Sequence, residues 1–218
     1  PEEARARERG LVGATWYQTP LDRRLLRDLM RRDDAPSIRD AALWLSLLLA
    51  SGAGVVLLWG SWWVLLPLVP YGLLYATAAD SRWHESLHGT AFRTDWMNRA
   101  RYHLCAFLLI ANPVTTRWSH VRHHSDTLVV GRDPEIPDTR PPRPWIILVN
   151  VLRLLAASRN YLTMIRLAAG RLSRDEIELV PESERPRAVT ASRVHLLIHG
   201  TVWATALATA SWLPVVLV

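Results

Sequence analysis

Residues 41–79 read AALWLSLLLASGAGVVLLWGSWWVLLPLVPYGLLYATAA, and none of them is charged. A helix rising about 1.5 Å per residue needs roughly 20 apolar residues to cross the hydrocarbon core of a bilayer, so a stretch of this length reads as two passes. Gly60-Ser61 divides it into Ala41–Trp59 and Trp62–Ala79, because glycine turns the backbone tightly without a steric penalty. Trp59, Trp62 and Trp63 gather at that reversal, and indole rings favour the headgroup layer. Arg31, Arg32 and Arg39 precede the first pass, and Arg82 follows the second. Arginines on one side only mark that side as cytoplasmic. The expectation is a helical hairpin with both ends in the cytoplasm.

The flanking sequence extends the helical pattern. Thr19-Pro20-Leu21-Asp22 offers a capping residue, a proline for the first helical position and an acid for the first turn, which predicts a helix start. Leu21, Leu25, Leu26 and Leu29 then share a face, with Arg23, Arg24 and Arg27 elsewhere. Such a helix either lies on a membrane surface or packs on its own protein. Leu104–Ala111 is too short to span and stops at Asn112-Pro113, since a residue before proline leaves the helical region. Residues 132–144, rich in Pro, Asp and Arg, read as a loop, and Trp145–Leu155 as a short surface helix. Ser173 and Glu176 form a capping-box pattern for a small helix ending before Pro181. Val194–Val218 reads as a third pass, entering from the side marked by Arg185, Arg187 and Arg193. The fold class expected is all-α, an integral membrane helical bundle. Residues 1–40 form a cytoplasmic N-terminal segment and 41–218 the membrane domain. With no signal-peptide pattern at Pro1 and an apolar stretch running to Val218, the chain is expected to be incomplete at its C-terminus.

Half of the residues are apolar and the formal net charge is +6. All 26 basic side chains are arginine. They line the flanks of apolar segments instead of forming a patch interleaved with aromatics, which argues against a nucleic-acid partner. A single cysteine, Cys105, excludes an internal disulfide and any cysteine-based zinc pattern. Histidine must carry any metal.

Five of the eight histidines form two clusters just outside the apolar segments. His84 and His88 are four apart, and His120, His123 and His124 are spaced by three and four, so each set falls on one helical face. Imidazole suits iron, zinc and copper, whereas magnesium or calcium calls for oxygen. His195 and His199, also four apart, begin the third pass, and an intramembrane ionisable pair is a functional candidate. His103, between Tyr102 and Leu104, reads as structural. Glu85, Asp126, Asp133 and Glu135 stand beside the clusters. They either accept the second ring N–H of a ligand histidine and fix its tautomer or are solvated acids. Arg117, Arg122 and Arg132 either meet a phosphate-bearing acyl carrier or lipid headgroup or neutralise those acids.

The stretch His84-Glu85-Ser86-Leu87-His88-Gly89-Thr90 resembles the first histidine box, HxxxH, of membrane fatty acid desaturases. Trp118-Ser119-His120-Val121-Arg122-His123-His124-Ser125-Asp126-Thr127 resembles the second, HxxHH, and Gly131–Glu135 resembles the segment that often follows it. The similarity is good over about Arg39–Pro142. It implies two iron ions bound by His84, His88, His120, His123 and His124 at the cytoplasmic ends of a four-helix membrane core, with no catalytic residue beyond the ligands. It also implies O2 as co-substrate, an external ferredoxin- or cytochrome-type electron donor, and a fatty acyl lipid, acyl-CoA or acyl-carrier substrate that loses two hydrogens; the use of arginine alone, without lysine, points to a GC-rich bacterial genome, so the membrane expected is a bacterial inner membrane. The chemistry agrees, because attacking an unactivated methylene requires a redox metal, and zinc is redox-inert. The family's third box, another HxxHH, is absent and is expected beyond Val218. His199 is a further candidate ligand, ahead of His195. A hydroxylase of alkyl chains or carotenoids is the near alternative. A membrane zinc hydrolase and a metal-binding membrane protein without catalysis are the distant ones.

Overall fold

The uncharged stretch folds as a helical hairpin. The computed structural model describes residues 2–10, 12, 19–79, 81–129, 131–136, 144, 145, 148 and 154–218, and no strand occurs among them. Its helices are α1 (Glu2–Glu8), α2 (Arg23–Leu29), α3 (Asp34–Leu57), α4 (Leu65–Ala76), α5 (Ser81–Leu87), α6 (Asp95–Leu108), α7 (Pro113–Asp126), α8 (Leu154–Ala168), α9 (Arg174–Leu179), α10 (Arg185–Ala208) and α11 (Leu213–Val216). Two compact units result, one of residues 30–111 with 194–218 and one of residues 1–29 with 112–193.

In the first unit, Asp33 caps α3 by accepting the Ala35 N–H at 3.1 Å. The Asp34 carboxylate accepts from the backbone N–H and hydroxyl of Thr94, at 3.0 and 2.6 Å. Arg32 and Ser37 donate to the carbonyls of Gly89 and Ala91. The start of α3 is thereby tied to the loop that precedes α6. The chain reverses after Leu57, with Gly60 at φ 87°, and a 3-10 turn at Trp62–Val64 leads into α4. The return arm is less regular than the single helix expected over Trp62–Ala79, being interrupted by 3-10 turns at both ends. α4 itself runs unbroken past Pro70, although proline has no N–H for the helical ladder.

The two arms approach closely at small residues. A Cβ on Gly54 would lie 2.8 Å from Pro67 Cβ, and one on Gly52 3.1 Å from the Tyr71 ring, which is how small residues let apolar helices pack without bulky intermediaries. Trp44 donates its indole N–H to the Leu74 carbonyl at 2.9 Å. Trp44, Leu48, Val55, Tyr71, Ala78, Trp83, Tyr102, Cys105 and Ala106 form one buried cluster running from the hairpin into α5 and α6. Leu43, Leu49, Leu57, Leu66 and Leu73 are not covered by protein. Two helical stretches, Arg23–Leu57 and Trp62–Leu87, are long and apolar enough to cross a membrane. The expected apolar piece Leu104–Ala111 is in part the last turn of the longer, half-polar helix α6.

The expected third pass over Val194–Val218 is not one helix. Ser211 N–H donates to Ala206 O at 3.0 Å and Ala210 N–H to Leu207 O at 3.2 Å, with Ala210 at φ 48°. That paired arrangement terminates a helix. The short α11 follows, and Tyr71 OH donates to the Leu217 carbonyl at 2.6 Å.

In the second unit, α2 begins at Asp22, not Thr19. The Asp22 carboxylate accepts the N–H groups of Arg24 and Leu25, at 2.8 and 2.9 Å, so one side chain satisfies two of the donors that a helix start leaves over. The capping box is present as read. Ser173 Oγ accepts from Glu176 N–H, and Glu176 accepts from Ser173 N–H, at 3.2 and 2.7 Å. Glu176 also takes a forked pair of bonds from Arg166, at 2.6 and 2.7 Å. Most of the expected loop 132–144 and of the expected helix 145–155 lies outside the described residues.

Candidate metal centre

The first histidine pair sits on α5 and its cap. His84 lies in the last turn, and His88 N–H donates to His84 O at 3.1 Å. Gly89 at φ 67° then closes the helix, its N–H bonded to Ser86 O and that of Thr90 to Glu85 O. Glycine fits this position because it has no Cβ to clash there. On so short a helix the opposite faces are unlike. Trp83 and Ser86 are buried, while His84 and His88 are exposed side by side with ring centroids 4.6 Å apart.

The second set lies on α7, which Asn112 and Pro113 begin. Asn112 Oδ1 accepts from the N–H groups of Val114 and Thr115, and its amide N–H2 donates to Ala188 O and Ser192 Oγ at 2.8 Å each. This side chain was read only as a helix stop. Its cap on α7 could have been found from the Asn-Pro pair, because asparagine at the cap and proline at the next position is a standard helix opening. Its anchoring to α10 leaves no sequence signal.

His120 is 3% exposed, and Glu135 Oε1 lies 3.0 Å from its Nδ1. Both carboxylate oxygens of Asp133 lie 3.0 Å from His123 Nδ1. A carboxylate only accepts, so Nδ1 of each ring carries a proton, and in the neutral ring the lone pair then falls to Nε2. His124 Nε2 lies 3.0 Å from His120 Nε2, a spacing that either a proton on His124 or a shared ion satisfies. The donor nitrogens of His84 and His88 lie within 4.8 Å of each other, as do those of His120 and His124. Imidazole nitrogens suit a first-row transition metal, and of these four rings His120 has its far nitrogen held by a carboxylate; His123, held by Asp133, is not one of the four.

Asp133 organises the loop behind α7. It also accepts from the N–H groups of Leu128 and Glu135 at 2.9 Å each. Burial pushes its carboxyl up, but those two N–H groups and His123 outweigh that effect and hold it below the ordinary carboxylate value. Of the acids weighed as tautomer-fixing partners, Asp133 and Glu135 make that contact. Asp126 instead meets Arg132 at 3.1 Å and Arg122 at 3.6 Å, and Glu85 meets Arg101 at 3.7 Å. Arg122 and Arg132 thus neutralise acids. His195 and His199 are buried on α10 against Phe107, with centroids 5.3 and 4.8 Å from its ring. His195 Nδ1 has no hydrogen-bond partner among the described residues.

No curated protein and no solved structure matches this chain. The sequence model of the family described as fatty acid desaturase matches residues 60–218. That range takes in both histidine clusters, the carboxylates behind the second, and the return arm of the hairpin, and on it the chain belongs to the fatty acid desaturase family.

Proposed function

We propose that this chain supplies the histidine ligands for oxygen-dependent desaturation of a fatty acyl chain. His84, His88, His120, His123 and His124 are the assigned ligands of two iron ions, with His199 as a further one. The observation that carries this reading is the pair of ring–carboxylate contacts, His120 with Glu135 and His123 with Asp133. Each places a proton on Nδ1, and in the neutral ring that leaves the lone pair on Nε2; the Nε2 of His120 lies beside that of His124, while that of His123 lies 3.9 Å from Glu135. When bound, the metal pair supplies the redox capacity to activate O2, which histidines alone lack.

The chain's own residues do the positioning. The carboxylates hold the rings, and the Asn112 cap and Gly89 closure fix where the two ligand-bearing helices begin and end. The apolar surface of the hairpin suits a hydrocarbon chain, and the C–H pair brought nearest the metals sets the product. The substrate class is an acyl lipid, acyl-CoA or acyl carrier, and the electrons come from a ferredoxin- or cytochrome-type donor. The site faces the cytoplasm, at a bacterial inner membrane.

The test is to purify the full chain in detergent, measure iron per chain, and assay fatty acyl products with O2 and a reducing donor. An unsaturated product that disappears together with iron in His120→Ala supports the reading. Unchanged iron and turnover in His120→Ala would overturn the ligand assignment. A hydroxylated product would move the activity to the hydroxylase alternative, and activity with zinc alone and no O2 would move it to a hydrolase.

A further inference from the structure

We propose that Arg101 is the positioning residue for the first histidine pair, setting the rotation of α5 from behind so that His84 and His88 face outward together. This rests on the reading of those two histidines as metal ligands. Arg101 is charged and only 8% exposed, and a buried guanidinium is retained only where it is well paired. Its Nε–H donates to Ser86 Oγ at 2.7 Å. Its guanidinium carbon lies 4.7 Å from the centroid of the Phe92 ring, and its terminal nitrogens lie 3.7 Å from Asp40 and 3.7 Å from Glu85. One side chain on α6 therefore engages α3, α5 and the loop between α5 and α6.

The position of Ser86 gives that contact its meaning. At about 100° per residue, Ser86 lies roughly 200° around the helix from His84 and 160° from His88, so it marks the face opposite the pair. Its hydroxyl donates to Arg82 O at 2.6 Å, which leaves its lone pairs to the Arg101 N–H. Arg82, on the same rear face, bonds Asp40 at 3.0 Å, so Asp40 contacts both cations. A helix of seven residues has little intrinsic stability. Its rotation is set by what grips its rear face, and from α6 Arg101 makes a buried, directional hydrogen bond there. Lysine cannot replace it, because an ammonium lacks both the planar stack over Phe92 and an Nε–H at that reach.

The experiment compares the full wild-type chain with His84→Ala, Arg101→Lys, Ser86→Ala and the Arg101→Lys/Ser86→Ala double variant. Each metal-free protein in detergent is titrated with Co2+ and followed by its d–d absorption, with helicity and melting temperature recorded in parallel. Arg101→Lys and Ser86→Ala should each weaken Co2+ binding about ten-fold, the lower end for loss of a supporting partner, with an altered band and unchanged helicity. The double variant should be no weaker than the weaker single, since both remove one interaction. If His84→Ala weakens binding while Arg101→Lys and Ser86→Ala keep wild-type affinity and band shape, the proposal is overturned, even if their melting temperatures fall. No Co2+ band in the wild type, or wild-type binding in His84→Ala, removes instead the parent reading of the pair as ligands.

Discussion

Glu135 Oε1 lies 3.0 Å from Nδ1 of His120, a ring that is almost wholly buried on the preceding helix. The contact links a loop acid to a helical histidine fifteen residues earlier in sequence. Replacing Glu135 by Ala should leave α7 intact and lower the affinity for Fe2+ or Co2+ by about ten-fold to a hundred-fold, the usual effect of removing such a partner. Metal titration of the purified variant checks it, and wild-type affinity would show that the loop acid has no part in orienting the ring.

The hairpin should respond in opposite directions at two of its glycines. At Gly54 an added methyl meets Pro67 Cβ at 2.8 Å, and the proline ring cannot swing away. Gly54→Ala is expected to destabilise the chain by about 1–3 kcal/mol, in the range for overpacking. At Gly72, on α4, nothing lies within 4 Å of the new methyl, so Gly72→Ala should stabilise by up to about 1 kcal/mol through helix propensity. Thermal unfolding in detergent ranks the two, and the reverse order would refute the packing described.

Glu176 gives a pH dependence of known sign. Burial pushes its carboxyl up, but the forked bonds from Arg166 and those with Ser173 prevail, and its value in the folded chain is depressed. A depressed carboxylate contributes stability that is present above its unfolded value, ordinarily about 4.3, and that is lost as pH falls through the folded value. The melting-temperature gap between wild type and Glu176→Gln should therefore be widest near neutral pH and narrow as the solution is acidified below about pH 4. A gap that widens on acidification would contradict this.

Side-specific labelling tests the arrangement of the two passes. Ser61 and Arg93 are both exposed, one at the hairpin reversal and one beyond its second arm. With cysteine placed singly at each, an impermeant thiol reagent should reach Ser61→Cys and Arg93→Cys from opposite faces of sealed vesicles. Labelling from the same face would overturn the topology.

Much of the helical order was legible because it rests on local physics. The absence of charge from Ala41 to Ala79, the glycine at the reversal and the Ser173–Glu176 box each act within a few residues. The four-residue spacing of the histidines likewise places His120 and His124 together on α7. Less legible were features set by competition or by distance. Thr19 and Asp22 both resemble helix caps, and the carboxylate that reaches two N–H groups prevails. Val194–Val218 is apolar enough to suggest a continuous pass, yet Ala210 adopts a left-handed backbone that no glycine announces. Asn112, Ser86 and Arg101 owe their importance to partners brought near by folding. The roles of Asp133 and Glu135 were open between solvated acids and ring partners, and only the loop that returns them to α7 distinguishes the two.

The burial of Cys105 bears on chemical durability. Its thiol is wholly enclosed in the core of the first unit, and that enclosure pushes its pKa up to about 11. Thiolate is the form that oxidants and electrophiles attack, and at neutral pH only a trace of it is present here. The chain's one cysteine is thus shut away from the sequence of sulfenic, sulfinic and sulfonic acids that an exposed thiolate can enter.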